Sequence, residues 1–413
     1  MKFKNYGFSK EIKKNLEKMG FVRPTDIQYK SIPAILEGGD ILAVAQTGTG
    51  KTVAFALPVI DMINKIKSNK QSYGIKALVM VPTRELAMQN GKVFAKLSKN
   101  TKVKTFSVYG GVEQEPQIKA LLKGVDIVIA TPGRMFDLIH QGYLKTDNIS
   151  IVILDEADRM LKLGFFKDIE DIQKKIKHKH QTLFFSATID KEIKKKAYKL
   201  INSKAIRIEI SPKDPVSKNV THYVSFIKKD DKRAFLKNLL ENQEGAKTII
   251  FVRTIIRAER LLKTLNNFGF TAQTIHRNKK QEERTQILKN FKNNNFKILI
   301  ATDILARGID IEDIELVVNY DLPEIAENYV HRVGRTGRGK RRGTAITFCS
   351  EEEKPVLKEI ENFLNKKIEE IKIGKKQYKE IVKISTPPKT IEELKKLVEE
   401  ESMFKRKKKK KKK

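Results

Sequence analysis

Residues Ala45–Thr52 read AQTGTGKT, a glycine-rich loop between a predicted strand and a predicted helix. Gly48 and Gly50 permit a turn that points backbone N–H groups at a phosphate, and the following helix adds the positive end of its dipole. Lys51 is expected to reach the β and γ phosphates of a nucleotide, and the Thr52 hydroxyl is expected to coordinate Mg²⁺. Such a motif arises by chance fairly often, but the strand before it and the helix after it are the context that a phosphate-binding loop requires.

Paired acids follow another apolar run, Ile151–Leu154. Asp155 comes at the carboxyl end of this predicted strand, where α/β sheets bind their ligands, so it can hold Mg²⁺ through water. Glu156 is placed beside it to orient and activate an attacking water. The alternative is a solvated acidic turn, which the buried run before the acids disfavours. The loop and the acids together predict a nucleoside-triphosphatase.

Short apolar runs alternate with amphipathic stretches along the chain, which predicts right-handed βαβ units and doubly wound sheets. The fold class is therefore α/β, with two tandem domains that are each a mostly parallel sheet flanked by helices. The predicted elements of the first half are the strands Ile41–Ala45, Ala77–Val81, Ile127–Ala130, Ile151–Leu154 and Leu183–Phe185 and the helix Arg84–Leu97. Those of the second half are the strands Thr248–Val252, Lys297–Ala301, Leu316–Asn319 and Thr344–Phe348.

The stretch Ile210–Val216 carries two prolines and no periodicity, which predicts a linker between the halves. We expect a first domain at residues 1–210, a linker at 211–217, a second domain at 218–373 and a basic extension at 374–413. In the extension, Thr390 and Glu393 predict a capping box that opens a short helix. Nine consecutive cations, Lys405–Lys413, close the chain and are expected to be disordered.

The formal net charge is +34, from 84 Lys and Arg against 50 Asp and Glu, and subtracting the nine C-terminal cations still leaves +25. This excess predicts attraction to polyanions, nucleic acid above all, although a lysine-rich solvated surface explains many single lysines equally well. No apolar run approaches the ~20 residues that a membrane-spanning helix needs. The N-terminal residues lack a secretion signal, and the single cysteine, Cys349, agrees with a reducing cytoplasm. We therefore expect a cytoplasmic protein with no membrane partner.

Taken together, these motifs and their order resemble the DEAD-box RNA helicases of superfamily two, over about Phe3 to Ile373. Gly20-Phe21, Pro24, Thr25 and Gln28 are similar to the Q motif of that family, with Phe3 as its upstream aromatic residue. The resemblance implies two RecA-like domains that use ATP and Mg²⁺, with Gln28 reading the adenine edge and an aromatic ring stacking on the base. A surface glutamine is the alternative for Gln28. The implied nucleotide contacts are Phe3, Phe21, Gln28, Thr47, Gly48, Thr49, Gly50, Lys51, Thr52, Gly308 and Asp310.

Two further motifs concern the use of the nucleotide. Ser186-Ala187-Thr188 is similar to the family's SAT motif, which implies a hydrogen bond to Asp158 and coupling of hydrolysis to strand separation. Arg335 and Arg338 lie in the second half, where the chain has no phosphate loop. If the two domains close on one nucleotide, these arginines neutralise charge developing on the γ-phosphoryl group. A general polyanion-binding patch is the alternative.

The predicted RNA contacts are sequence-independent and directed at the backbone of single strands and short duplexes, with strong salt dependence. A Thr hydroxyl and N–H groups at a helix start suit a phosphate, and paired glycines permit close approach. Taken singly, each segment is explained equally well by helix capping or turn chemistry. The residues that the resemblance implies are Pro82, Thr83, Arg84, Gly110, Gly111, Thr131, Gly133 and Arg134, and from the second domain Arg284 and Thr302.

Residues 275–281 depart from many relatives, because Arg277 follows His276 where a glycine is common. Arg277 cannot easily adopt a positive φ, so it either adds a phosphate contact or alters the loop. This stretch and the basic tail most resemble the bacterial RhlE-type group, which implies a role in ribosome assembly or RNA turnover and ribosomal or RNA-decay proteins as partners. We hypothesise that Lys405–Lys413 tethers RNA, with a solubilising tail as the alternative. A DNA-directed translocase and an RNA chaperone or assembly clamp remain alternative functions.

Overall fold

Two seven-stranded parallel sheets, one in each half of the chain, organise the protein. The first contains Ile41–Ala45 (β1), Ala77–Met80 (β2), Thr105–Val108 (β3), Ile127–Ala130 (β4), Ile151–Leu154 (β5), Gln181–Ser186 (β6) and Ile206–Ile210 (β7). The second contains Val220–Phe226 (β8), Thr248–Phe251 (β9), Ala272–Ile275 (β10), Ile298–Ala301 (β11), Leu316–Asn319 (β12), Gly343–Cys349 (β13) and Glu369–Glu370 (β14). The computed structural model describes residues 2–46, 48–69, 73–210, 216, 219–303, 313–337 and 342–385.

The two sheets share one strand order. The first runs β3-β4-β2-β5-β6-β1-β7, and the second runs β10-β11-β9-β12-β13-β8-β14, which is the same order with every index raised by seven. β5 lies at the centre of the first sheet, where Leu154 is in register with Met80 of β2 and Phe184 of β6. Since β6 separates β5 from β1, the carboxyl ends of these three strands lie side by side at one edge.

Helices cover both faces of each sheet. Those of the first half are Lys10–Lys18 (α1), Asp26–Leu36 (α2), Lys51–Asn69 (α3), Arg84–Leu97 (α4), Glu115–Leu122 (α5), Pro132–His140 (α6), Ala157–Lys162 (α7), Phe166–Lys175 (α8) and Lys191–Leu200 (α9). Those of the second half are Lys232–Asn242 (α10), Ile255–Asn267 (α11), Gln281–Lys292 (α12), Ala326–Val333 (α13), Lys354–Leu364 (α14) and Lys375–Ser385 (α15).

Alternate residues of a strand enter separate cores on the two sides of the sheet. In β1, Ile41 and Ala43 belong to one buried cluster and Leu42 to the other. In β9, Ile249 and Ile250 divide in the same way. Burial on both faces explains why the central strands appear in the sequence as continuous apolar runs. Among the described residues, no helix has the length and apolar character needed to cross a bilayer.

The nine strands and the helix expected from the sequence are all present, with ends that shift by one or two residues. The strands that the sequence analysis did not list are β3, β7, β8, β10 and β14. β3 and β7 are edge strands whose side chains are mostly exposed or half-exposed, so their sequences lack a continuous apolar run. The linker prediction at 211–217 falls outside the described residues except at Val216, and so does the predicted tail beyond Ser385.

Helix α15 lies within the segment that the sequence assigned to a basic extension, but it packs on the second domain. Ile381 is buried in the core on that side, and the Tyr378 ring lies 4.7 Å from the Phe235 ring of α10. The Tyr378 hydroxyl accepts a hydrogen bond from the Lys228 backbone N–H at 3.0 Å and donates one to Asp231 Oδ2 at 2.8 Å. The folded second half therefore continues to Ser385, past the predicted limit at 373, because the apolar face of α15 completes this core.

We expect Tyr378→Ala to destabilise the second domain by about 1–3 kcal/mol, since it removes an aromatic contact and two hydrogen bonds. Urea unfolding of the variant and the wild type measures the difference. Tyr198→Ala is the matched control, because Tyr198 lies on helix α9 of the first domain and is 38% exposed. Equal losses in the two variants would show that α15 is not a stabilising part of the domain.

Candidate nucleotide and RNA site

The phosphate-binding loop connects β1 to α3 at the carboxyl edge of the first sheet. Lys51 is the first residue of α3 and is 7% exposed, and its ammonium group donates a hydrogen bond to the Ala45 backbone carbonyl. Gly50 has a φ of +90°, and a Cβ there would lie 2.4 Å from Gln28 Nε2. A glycine is therefore required at this position on both conformational and steric grounds. Thr47, which the sequence placed in the loop, is outside the described residues.

Asp155 is a buried carboxylate at the end of β5, with 3% of its surface exposed. Its Oδ1 accepts the Glu156 backbone N–H at 3.0 Å, and its Oδ2 accepts the side-chain amide of Asn90 at 2.8 Å. Burial raises the pKa of Asp155 to about 6, against a usual value of 3.8, and the hydrogen bond from Asn90 lowers it in part. The same Asn90 accepts a hydrogen bond from the Thr52 hydroxyl at 3.2 Å.

The two residues predicted to hold Mg²⁺, Thr52 and Asp155, are thus joined through one side chain of α4. Both present oxygen atoms, which are the donors that Mg²⁺ prefers. The residues present therefore fit the ion. Sequence reasoning missed Asn90, because an asparagine within a helix gives no motif. The sequence signal was its spacing, because Asn90 falls on the helix face of Leu86 and Phe94, where an apolar side chain is expected. The structure buries it there completely.

Glu156 adopts a left-handed backbone conformation, with φ of 51° and ψ of 45°, at the N-cap of α7. Such a conformation is unfavourable for a residue with a side chain and is found mainly where the surrounding structure enforces it, often at functional sites. The carboxylate is 7% exposed and forms an ion pair with Arg159 at 3.4 Å. The turn after β5 therefore holds both acids at the sheet edge with different partners, Asn90 for Asp155 and Arg159 for Glu156.

The Q motif contacts the phosphate-binding loop directly. Gln28 is 1% exposed, its Oε1 accepts the Thr25 backbone N–H at 2.9 Å, and its Nε2 donates to the Gly50 carbonyl at 3.1 Å. Thr25 also donates its hydroxyl to the Thr49 carbonyl at 2.8 Å. The surface-glutamine alternative is therefore wrong. An adenine contact for Gln28 stays a prediction. Its amide already bonds the Gly50 carbonyl of the phosphate-binding loop.

The two aromatic residues assigned to base stacking differ in exposure. Phe3 is 2% exposed and packs edge-on against Phe21, with ring centroids 6.2 Å apart and planes at 77°. Phe21 is partly exposed. The ring with surface available for a base is therefore Phe21, and Phe3 supports it from behind.

The SAT motif and the last acid of the DEAD motif are in contact. The Thr188 hydroxyl donates a hydrogen bond to Asp158 Oδ2 at 2.9 Å, which is the contact that the resemblance implied. The Ser186 hydroxyl donates to the Thr188 backbone carbonyl at 2.5 Å and so fixes the turn after β6. The coupling role assigned to Asp158, Ser186 and Thr188 stays a prediction.

Among the arginines of the second domain that the structure describes, the most buried is one that sequence reasoning did not select. Arg332 is 0% exposed, lies over the Phe251 ring, and bonds Asp303 Oδ1 at 2.5 Å and the Asp321 carbonyl at 2.6 Å. This ion pair holds α13 to the end of β11, next to Thr302. Arg335 follows α13, is 5% exposed, and donates its Nε to the His331 carbonyl at 3.1 Å. Gly308, Asp310 and Arg338 lie outside the described residues.

The predicted RNA contacts of the first domain gather around the start of α4 and the loops beside it. Thr83 is the N-cap of α4 and accepts the Leu86 N–H at 3.4 Å. Arg84 lies directly over Gly111, whose φ is +76° and whose missing side chain leaves room for the guanidinium. Arg134 of α6 donates to the Val112 carbonyl at 3.0 Å. These contacts bring the start of α4, the loop around Gly111 and helix α6 together on one surface. The remaining residues assigned to it lie in the same segments: Pro82, Gly110, Thr131 and Gly133.

In the described part of the chain, two ion pairs join the domains. Arg284 of α12 contacts Glu85 of α4 at 2.5 Å, and both side chains are less than 10% exposed. Burial lowers the pKa of Arg284, and the negative charge of Glu85 partly offsets this by raising it. Lys162, the last residue of α7, contacts Glu327 of α13 at 3.1 Å. Arg284, predicted to bind RNA, therefore lies in the domain interface. Its partner Glu85 is the next residue along α4 from the predicted RNA contact at Arg84.

The chain matches the DEAD/DEAH box helicase family over residues 25–196 and the helicase conserved C-terminal domain over residues 231–340. It is 39% identical over 370 residues to the DEAD-box ATP-dependent RNA helicase CshA of Geobacillus kaustophilus, covering 90% of this chain and 78% of that protein. It is 40% identical over 370 residues to the ATP-dependent RNA helicase CshA of Listeria monocytogenes, covering 89% and 70%.

Among solved structures, S. cerevisiae Dbp5 bound to RNA and ADP BeF3 has a TM-score of 0.80 at 29% identity, covering 93% of this chain and 98% of that chain. A DEAD box protein from the hyperthermophile Methanococcus jannaschii has a TM-score of 0.53 at 38% identity, covering 90% and 99%. These likenesses confirm two tandem RecA-like domains. The fold and site define a helicase with RNA-stimulated ATPase activity. The chain belongs to the DEAD-box family of ATP-dependent RNA helicases. Both relatives carry the name CshA, so the RhlE-type subgroup is not confirmed.

The pKa of Asp155 predicts how its replacement changes stability with pH. In the folded protein this pKa is about 6, above the usual value of 3.8, so the ionised form is less favourable when folded than when unfolded. That cost is absent below the unfolded pKa, grows as the pH rises to the folded pKa, and then stays constant at up to about 3 kcal/mol. Asp155→Asn should therefore gain stability relative to the wild type as the pH rises from 4 to 7 (about one unit beyond the folded pKa).

Thermal unfolding of both proteins without nucleotide or metal, in acetate at low pH and in phosphate at neutral pH, measures this gain. Asp158→Asn is the control, since Asp158 is also buried. If the difference between Asp155→Asn and the wild type is the same at both pH values, the carboxylate is not destabilised by burial.

Proposed function

We propose that this DEAD-box helicase melts short RNA duplexes locally by closing its two domains on ATP and on the RNA backbone. The observation that carries the proposal is the pair of interdomain contacts, Arg284–Glu85 and Lys162–Glu327. They bring the surface around α4 and the helix after the DEAD acids against elements of the second domain. Closure of this kind assembles one site from two halves and excludes water from it.

In the nucleotide site, the proposed roles follow from position for the described residues and from the resemblance for Thr47 and Arg338. The loop 45–52 and Lys51 hold the phosphates, and Gln28 with Phe21 holds the adenine. Mg²⁺, held by Thr52 and by Asp155 through water, would neutralise phosphate charge. Glu156 accepts a proton from the attacking water. Arg335 of the second domain, and by resemblance Arg338, neutralise charge that develops on the γ-phosphoryl group when the domains close.

The relation to solved structures supports the closed arrangement. The TM-score is higher against RNA-bound Dbp5 than against the M. jannaschii protein, although the identity to the latter is higher. We infer that the difference lies in how the two domains are placed, because identity alone would favour the M. jannaschii protein. A placement like that in the relative whose structure contains RNA and ADP BeF3 is the one that the proposal requires.

The RNA grip is proposed to be sequence-independent. Its residues in the first domain are backbone groups, hydroxyls and arginines, which bind phosphate and carry no base readout. The biological setting that we propose is the cytoplasm, in ribosome assembly or RNA turnover, with ribosomal or RNA-decay proteins as partners. The net charge of +34 supports attraction to such RNA-rich assemblies.

The first test is steady-state ATP hydrolysis with and without single-stranded RNA, with DNA of the same length and sequence as the comparison. We expect strong stimulation by RNA and little by DNA, because 2′-hydroxyl and backbone geometry distinguish the two. Glu156→Gln should lower the RNA-stimulated rate by about 100-fold or more, the contribution of a positioned base. Equal stimulation by DNA would favour the DNA-directed translocase, and duplex remodelling by Glu156→Gln at the wild-type rate would favour the chaperone or clamp.

The closing contact can be tested by reversing its charges. Lys162→Glu and Glu327→Lys should each weaken RNA binding in the presence of a non-hydrolysable ATP analogue by about two- to fivefold, since the pair is only partly buried. The double variant restores the attraction with the charges exchanged, so its affinity should return toward the wild-type value. Fluorescence anisotropy of a labelled RNA at low salt measures the affinity.

Lys174→Glu is the matched control, because Lys174 is an exposed lysine of α8 in the same domain. It changes the net charge as Lys162→Glu does without touching the interface. Should the double variant bind as weakly as the two single variants combined, the Lys162–Glu327 pair does not form in the closed state.

A further inference from the structure

Asn90 is the one side chain that contacts both residues assigned to Mg²⁺ binding in the described part of the chain. It lies in the middle of α4 and is 0% exposed. Its amide nitrogen donates to Asp155 Oδ2 at 2.8 Å, and its amide oxygen accepts the Thr52 hydroxyl at 3.2 Å. We propose that Asn90 is a positioning residue that holds Thr52 and Asp155 in one fixed geometry for the metal ion. This inference rests on the proposed Mg²⁺ site.

The chemistry of the three groups permits one orientation of the amide. An ionised carboxylate only accepts hydrogen bonds, whereas a hydroxyl can donate one. Asn90 therefore directs its NH₂ group to Asp155 and its oxygen to Thr52, because the reverse orientation would place two acceptors in contact. Only a side chain with a donor and an acceptor on one rigid plane satisfies both neighbours at once.

The hydrogen bond from Thr52 also directs the lone pairs of its hydroxyl. A hydroxyl that coordinates a cation must turn its proton away from the ion. Asn90 accepts that proton, so the remaining lone pairs of Thr52 Oγ1 are free to face the metal. On the other side, Asp155 Oδ1 is fixed by the Glu156 N–H and Oδ2 by Asn90. Both ligands are thus oriented before the ion binds, which is the arrangement by which outer partners strengthen metal sites.

The purely structural alternative is that Asn90 only satisfies buried polar groups. That role would stabilise the fold and the empty pocket to the same extent as the loaded one. Positioning of metal ligands, by contrast, strengthens nucleotide binding only when Mg²⁺ is present. The two roles are therefore separated by measuring ADP affinity with and without the ion.

The experiment is a titration of the full-length protein with fluorescent ADP, once with excess Mg²⁺ and once with EDTA. The dissociation constant in EDTA divided by the dissociation constant in Mg²⁺ gives the factor by which the metal strengthens ADP binding. Asn90→Ala should reduce this ratio on the order of tenfold, the factor expected for a lost hydrogen bond to a charged group. The affinity in EDTA should stay within about twofold of the wild type, because no contact to the nucleotide itself changes. Asn90→Leu keeps the branched shape and the number of side-chain heavy atoms, and it serves as a second variant if the alanine leaves a destabilising cavity.

Asn64→Leu is the matched control, because Asn64 is a buried asparagine of α3 that bonds Ser9 and Lys102 away from the site. Its ratio should equal that of the wild type. An unchanged ratio in both Asn90 variants, or an equal loss of affinity with Mg²⁺ and with EDTA, would overturn the positioning role while leaving the metal site intact. If the wild type itself binds ADP equally with and without Mg²⁺, the proposed metal site fails, and this inference fails with it.

Discussion

The site depends on keeping the carboxylate of Asp155 ionised at the end of a buried strand. A charge in such a place is costly unless hydrogen-bond donors surround it. Two donors do so here, the Glu156 N–H and the Asn90 amide, and Lys51 adds a favourable charge. The pKa of Asp155 nevertheless stays above its usual value, so burial outweighs these compensations. A bound cation would supply the compensation still missing, and this explains why a protein retains an unfavourable carboxylate at this position.

Helix α4 connects this carboxylate to the rest of the molecule. Thr83 and Arg84, at its start, belong to the predicted RNA surface, Glu85 contacts Arg284 of the second domain, and Asn90 contacts Asp155. All lie within two turns of one helix, which is too short to bend appreciably without a proline or a bulge. Helix α4 therefore joins the predicted RNA surface and the contact with Arg284 to Asn90, which in turn contacts Asp155. This link is additional to the motifs that are assigned to coupling.

The sequence predicted the parts of the fold and site that depend on local pattern. The central strands are apolar because both of their faces are buried, and Gly48, Gly50 and Lys51 form a motif because a phosphate loop imposes those residue types. The hydrogen bond from Thr188 to Asp158 was inferred by resemblance and is present. The edge strands β3 and β7 were not found, since half-exposed strands have no continuous apolar run.

What the sequence could not supply were contacts between segments far apart in the chain. Asn90 and Asp155 are separated by 65 positions, and Lys162 and Glu327 by 165, so no spacing rule connects them. The helix α15 was missed as part of the second domain for the same reason, because its partner Phe235 lies far upstream. Arg332 was not singled out because the γ-phosphoryl role was assigned to Arg335 and Arg338, although Arg332 is buried more deeply than Arg335.

The repeated strand order explains why the catalytic parts are divided between the halves as they are. β5 and β12 are the central strands of the two sheets, but only in the first half does the sequence carry a phosphate-binding loop and the paired acids Asp155 and Glu156. At the corresponding edge of the second sheet, after β12, stands Asp321, whose carboxylate is bound by Arg257 at 2.7 Å and by the Arg253 N–H at 3.0 Å. The ion pair with Arg257 already neutralises this carboxylate, so it has less attraction for a metal ion than Asp155, whose two hydrogen-bond donors are uncharged. This difference agrees with our proposal that the second domain contributes cations and binding surface and that the two domains form one nucleotide site on closure.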